Sequence, residues 1–216
     1  MNLSKRLSAV AAMIPQGTSI ADIGTDHAYL PIELIQNHTV RHAIAMDINE
    51  GPLRIAEKHI HEYGLSDEIE CRLSDGMAGL KQGEADCAVI AGMGGDLISR
   101  IISDDPDKVM ELVLSPHTHP ETVRRTLRDI NYLIIDESMI LDSGKYYTVI
   151  RAVKSVSTEI EETKEVYDYF GRILIQRKNT CLLEYLKKEK LKFRDIAQKH
   201  DYIALVEEAI QEIEKK

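Results

Sequence analysis

Seven short β-prone runs punctuate the first three-quarters of the chain: Ser19–Ile23, His42–Asp47, Ile69–Leu73, Cys87–Ala91, Glu111–Ser115, Leu133–Met139 and Tyr146–Val153. Helical patterns such as Pro52–Tyr63, Gly95–Ile102 and Pro120–Asn131 lie between them. Strand and helix in alternation predict βαβ units, and hence a parallel sheet. The last two runs break the alternation. Only Leu141 to Lys145 separates them, with an Asp-Ser-Gly turn signal and no room for a crossover helix, so they are expected to pair as an antiparallel hairpin. The expected fold class is α/β, with a mostly parallel sheet that ends in one antiparallel hairpin.

After Ser155–Thr158 the pattern changes. The stretch from Glu159 to Lys216 is charged and free of strand signals, with Ile173, Leu174, Leu182, Leu183, Leu186 and Leu191 at helical spacing. A charged turn near Lys190–Asp195 should fold it into two antiparallel, coiled-coil-like helices. The expected domains are residues 1–156 for the sheet and 157–216 for the helices. A length of 216 residues, 44% of them hydrophobic, suffices for one typical domain and a small second one. No run reaches the roughly 18 apolar residues of a membrane helix. The patch Leu7–Ile14, behind Lys5 and Arg6, reads as an amphipathic helix of a cytoplasmic protein. Cys71, Cys87 and Cys181 are few, odd in number and far apart, which predicts packing rather than disulfides or zinc. No metal or membrane partner is expected. A monomer is favoured, with the oligomeric state left open.

Open α/β sheets bind ligands at the carboxyl ends of their strands. The first strand and its exit read "SIADIGTDHAYLPIELI", Ser19 to Ile35, with a single Gly24 followed by Thr25, Asp26 and His27 where a dinucleotide fingerprint carries further glycines. That turn predicts a ligand without a pyrophosphate. S-adenosylmethionine fits, because Asp22 or Asp26 can accept from its ammonium. Asp47 ends the second strand 23 residues after Gly24, the spacing of a carboxylate that grips ribose hydroxyls. Asp75 and Gly76 follow the third strand and suit the adenine ring and its amino group. The fourth strand exits into "AGMGGDLI", where Gly92, Met93, Gly94 and Gly95 form either a loop that a planar substrate can approach closely or a plain tight turn with Asp96 capping the next helix; the first reading is favoured. Each signal alone is ordinary turn chemistry; three acids after three successive strands point to one ligand. With the terminal hairpin, this is the arrangement of class I S-adenosylmethionine-dependent methyltransferases. The loop lacks the Asn-Pro-Pro-Tyr-like motif of DNA amino-group methyltransferases, which argues against an exocyclic amine as acceptor.

The charge distribution bears on the substrate. Net charge is −9, yet nine Lys or Arg against three acids from Gly171 to Lys199 make a local +6. Such a run is either a solvated helix face or a phosphate-binding surface. It favours RNA over a small molecule, with Arg172, Arg177, Lys178, Lys187, Lys188, Lys190, Lys192 and Arg194 as candidate contacts.

The segments "ADIGTDHAYLP", "AMDINEGPL", "SDGMAGL", "AGMGGDLI" and "ESMILDSGKYYTVIRA", in this order and spacing, resemble the bacterial tRNA adenine-N1 methyltransferases of the TrmK type, which methylate adenine 22 in the D-arm. The resemblance spans the whole sheet domain and extends to the helical tail. It implies that Asp26 and His27 stand at the mouth of the cofactor pocket beside the methyl group, with Tyr29 shaping the helix start and Gly94 in the loop against the base. Ile48, Gly92 and Met93 then join Asp22, Gly24, Asp26, His27, Asp47, Asp75 and Gly76 as cofactor contacts. After the fifth strand, Ser115-Pro116-His117-Thr118-His119 replaces the family's Gln-Pro-Asn-like stretch. Two rival functions remain: a methyltransferase acting on another RNA or a small molecule, and a non-catalytic cofactor-binding interaction module.

Overall fold

A computed structural model describes residues 3–155, 164–194 and 196–215. Its strands are β1 Thr18–Ile23, β2 Val40–Asp47, β3 Ile69–Leu73, β4 Cys87–Ala91, β5 Glu111–Ser115, β6 Tyr132–Asp142 and β7 Lys145–Lys154. They form one sheet in the order β3-β2-β1-β4-β5-β7-β6. Strands β1 to β5 run parallel, and β7 lies antiparallel between β5 and β6. The hairpin closes with Asp142 opposite Lys145 and with Ser143 and Gly144 at φ 50° and 81°, the left-handed pair that matches strand twist in a two-residue turn. Both hairpin strands are longer than the apolar runs suggested.

The central strands are apolar on both faces, as a sheet covered on both sides requires. One face, including Ile20 of β1, packs against α1 (Lys5–Ala11), α2 (Tyr29–Gln36) and α3 (Glu50–Glu62). The other, including Ala21 and Ile23, packs against α4 (Gly95–Asp104) and α5 (Pro120–Asp129). The chain runs outward from β1 to β3, then returns to place β4 on the other flank of β1. This reversal opens a crevice over the carboxyl ends of β1 and β4.

The tail departs from the expected pair of helices. It holds α6 (Glu165–Phe170), α7 (Arg172–Gln176), α8 (Thr180–Phe193), a 3-10 turn at Ala197–Lys199 and α9 (His200–Glu214). The first break falls at Gly171, at φ 84°, where an added Cβ would stand 2.6 Å from both carboxylate oxygens of Glu137. The second follows Lys178, at φ 51°, after which the Asn179 side chain caps α8 by accepting from the Leu182 amide at 2.9 Å. Val166, Phe170, Leu174, Leu186, Val206 and Ile213 belong to a separate apolar cluster of the tail, against which Met139 of β6 packs. The expected 156/157 domain boundary, the helix start at Glu159 and Asp195 of the expected turn lie outside the described residues. Among the described residues, no helix is long and apolar enough to cross a membrane.

Candidate active site

The exit of β1 is a left-handed turn, with Gly24, Asp26 and Ala28 at φ 75°, 52° and 57°. The Gly24 and Thr25 amides both donate to the Met46 carbonyl, at 2.8 and 3.0 Å. The turn is thereby fastened to β2, and those two donors are already used within the protein. Asp22 is buried on the α1–α3 side of the sheet. Burial pushes its carboxyl up to about 6, and the Asp26 and Asp47 charges add to that. The Thr25 hydroxyl lies close enough to pull it partway back, although its geometry falls short of a hydrogen bond.

His27 closes the turn. Its Nδ1 is buried with no partner, and its Nε2 lies 3.4 Å from Asp26 Oδ1. The ring sits 5.4 Å from Tyr29 and 5.9 Å from His59, and those two rings stack at 5.3 Å. His59 Nδ1 donates to the His27 carbonyl at 3.0 Å; a carbonyl only accepts, so that nitrogen carries a proton. His59 belongs to α3 and had no sequence signal beyond its place on the helix after β2.

At the β2 exit, Asp47 Oδ1 accepts from the backbone and side chain of Asn49 at 2.8 and 3.3 Å, an Asx turn. Its Oδ2 has no partner among the described residues. Ile48 beside it is 58% exposed, unusual for an isoleucine at a strand end and suited to covering an aromatic ring. Asp75, after β3, is exposed and lies 3.7 Å from Arg100 of α4, a neighbour the sequence did not suggest.

The exits of β4 and β5 are locked together. The His117 amide donates to the Met93 carbonyl and the Gly95 amide to the Thr118 carbonyl, both at 2.8 Å. A Cβ on Gly95 would stand 2.3 Å from the His119 carbonyl oxygen, so only glycine admits this contact. Asp96 does not cap α4: Gly94 holds the N-cap position, and the Asp96 carboxylate instead meets His119 Nδ1 at 2.9 Å. That bond raises the His119 pKa above its ordinary value. Arg6 of α1 also reaches this end of the sheet. Its guanidinium lies 5.8 Å from the centre of the Tyr147 ring, near Gly92, and its Nη1 is buried without a partner. Burial first, then the Arg6 and Lys145 charges, hold the His117 pKa below its ordinary value.

Residues 3–150 match the family model described as a methyltransferase domain. The tRNA (adenine(22)-N(1))-methyltransferase of Bacillus subtilis (strain 168) is 38% identical over 200 residues, which is 88% of this chain and 82% of that protein. This chain belongs to that family. The crystal structure of the B. subtilis M1A22 tRNA methyltransferase TrmK superposes with a TM-score of 0.86 at 34% identity, over 97% of this chain and 99% of the other. Streptococcus pneumoniae Sp1610, crystallised with S-adenosyl-L-methionine, gives a TM-score of 0.85 at 30% identity over 98% of each chain.

The family's cofactor can be tested against the donor set. Thr25 Oγ1, His27 Nδ1, Ser115 Oγ and Arg6 Nη1 are all buried without a hydrogen-bond partner, and all lie at or near the carboxyl ends of β1, β4 and β5. Buried polar atoms are normally satisfied, and four of the six side chains with such orphaned atoms among the described residues gather here, the others being Glu68 and Ser99, so the grouping is consistent with a ligand site. Hydroxyls, carboxylates and an exposed isoleucine suit the amino-acid, ribose and adenine parts of S-adenosylmethionine. Among the described residues, no group of three His, Cys, Asp or Glu side chains could hold a metal ion.

The basic candidates of the tail divide in two. Lys187 pairs with Glu214 and Lys190 with Glu207, each at 2.8 Å, and Arg177 pairs with Asp136. Lys178 donates to the Lys215 carbonyl. Lys187, Lys190 and Arg177 are thus offset by carboxylates of the same chain, whereas Lys178 is only hydrogen-bonded. Lys188 instead donates to the Tyr146 hydroxyl at 2.8 Å, and Lys192 lies 4.5 Å from the centre of the Phe193 ring. Arg172 opens α7, and Arg194 follows α8.

Proposed function

We propose that this protein transfers the methyl group of S-adenosylmethionine to N1 of an adenine in tRNA, at position 22 of the D-arm. The supporting observation is the extent of the family match. It includes the tail as well as the sheet, so the whole architecture, and not only the cofactor crevice, is shared. Asp22 would meet the cofactor's ammonium, Asp47 Oδ2 its ribose, Ile48 the face of its adenine and Asp75 the adenine amino group. Gly24, Gly76, Gly92 and Met93 would line the space around it. A location in the cytoplasm, with tRNA, follows from this reading.

Bound S-adenosylmethionine supplies a methyl group already activated on a sulfonium. Adenine N1 carries a lone pair and no proton, so the chain need not provide a general base. Its residues act by exposing N1, aligning it and excluding water. N1 lies on the pairing edge, so the base must leave any pair to reach the crevice. His27 and Tyr29 would flank the incoming base beside the Gly94 loop. The Asp26 carboxylate, or a carbonyl of Gly92–Gly95, would accept from the adenine amino group and favour the positive charge that develops on the ring.

Purified protein incubated with labelled S-adenosylmethionine and an unmodified tRNA transcript should methylate it and produce a reverse-transcription stop at nucleotide 22. A transcript with guanine there should take up no label. Label at another nucleotide, or none on the adenine transcript, overturns the proposal.

A further inference from the structure

Behind the β5-exit loop, where it meets the tail, lies a cavity of about 480 Å³, within the ~300–1,000 Å³ range of small-ligand pockets. Pro116 to Glu121 form one wall, and residues of β6, β7, α6, α8, the 3-10 turn and α9 contribute the rest. Both of the chain's phenylalanines and four of its nine tyrosines line this space. Phe170 is buried, whereas Tyr146, Tyr169, Tyr185, Phe193 and Tyr202 are only partly buried. Phe170 belongs to the tail's apolar cluster and Tyr169, Tyr185 and Tyr202 pack against it, whereas Tyr146 and Phe193 line the space without belonging to that cluster.

Cations rim the same rings. Lys188 Nζ lies 5.0 Å from the Tyr146 ring centre, and Lys199 Nζ lies 5.5 Å from those of both Phe193 and Tyr202. Polar atoms sit deeper, where the Tyr202 hydroxyl donates to Glu189 at 2.9 Å beside the Tyr185 hydroxyl. Accessible aromatic faces, rim lysines and an acceptor carboxylate form the set that holds an unpaired nucleobase and its phosphate, because every base presents a π face and RNA readers stack splayed bases on aromatic rings.

The location fixes which base. The loop that walls the cavity is hydrogen-bonded to Met93 and Gly95, the segment against which the methylated base would lie. We infer that this pocket binds a second, unpaired nucleobase of the substrate RNA, a near neighbour in the chain of the nucleotide being methylated. The inference rests on the RNA reading above, and it gives the tail a role in substrate binding that does not depend on the internally paired Lys187 and Lys190.

Initial rates and fluorescence anisotropy with the full-length protein and unmodified tRNA test it. Phe193→Leu and Tyr146→Leu should each weaken tRNA binding roughly 5- to 150-fold, the equivalent of one lost base stack, with S-adenosylmethionine affinity unchanged as a control for folding. Tyr146→Phe, which keeps the ring, should bind tRNA as the wild type does. A transcript made abasic at one nucleotide near position 22 should show the same loss on wild type and no further loss on Phe193→Leu. Wild-type tRNA affinity in both leucine variants, or losses that simply add for every abasic position, overturns the pocket while leaving the methylation reading intact. A wild-type protein that methylates no tRNA overturns that reading and the pocket with it.

Discussion

Arg124 Nε lies 2.8 Å from Glu137 Oε1, with the two side chains only 3% and 1% exposed. Neither residue belongs to the tail, yet both bind it. Arg124 Nη1 donates to the Asp168 and Tyr169 carbonyls at 2.8 and 3.0 Å, and Glu137 Oε2 accepts from the Ile173 amide at 3.1 Å. The pair therefore couples α5 and β6 to the start of the tail.

Removing one member of such a pair leaves the other charge buried and unpaired. Glu137→Ala should therefore lower unfolding free energy by about 3–5 kcal/mol in chemical denaturation. Replacing both, with Arg124→Met and Glu137→Leu, should recover part of that loss, because no orphaned charge remains. The helical carbonyls that Arg124 serves would keep the recovery incomplete. A single-variant cost below about 1 kcal/mol, in the range of an exposed ion pair, would contradict this account.

Asp22 gives opposite pH signatures for folding and for binding. Burial raises its carboxyl from 3.8 to about 6, so the folded state holds the proton more tightly than the unfolded chain. Its contribution to stability is present below the unfolded value and is lost as pH rises through the folded one. Asp22→Asn should therefore gain stability at pH 8 and little at pH 3, read as Tm across pH. Binding an ammonium needs the carboxylate. S-adenosylmethionine affinity should then weaken as pH falls below about 6 in the wild type, and calorimetry should find that dependence flattened in Asp22→Asn. Equal pH dependence in both proteins would remove Asp22 from the cofactor site.

What the sequence disclosed follows from periodicity and local chemistry. Alternating apolar runs are consequences of burial between two helical layers, and a short gap with Asp142, Ser143 and Gly144 leaves no connection but a hairpin. Arg6, His59 and Arg100 were invisible because each joins the crevice from a helix whose own pattern reports only its apolar face. Arg124 and Glu137 are 13 residues apart on different elements, and no local pattern signals that both are buried. The kink at Gly171 has no local signal for the same reason. What requires glycine there is the distant Glu137 carboxylate, which a Cβ would meet at 2.6 Å.

His27 separates positioning from proton transfer. Its ring is held by Tyr29 and by His59, and His59 in turn is fixed through the His27 carbonyl, so the three form one aromatic wall beside the β1 exit. A wall that orients the base should affect the rate of transfer more than cofactor binding. His27→Ala should lower kcat on tRNA by tenfold or more, on the order of the cost of misplacing a reacting group, while calorimetric S-adenosylmethionine affinity changes little. His59→Ala should lower kcat less, because it removes a support and leaves the His27 ring in place. Since adenine N1 has no proton to lose, the pH–rate profile should keep its shape in His27→Ala at reduced height. A wild-type inflection that disappears in the variant would instead identify His27 as a proton-transfer group. Unchanged kcat would exclude it from the reaction altogether.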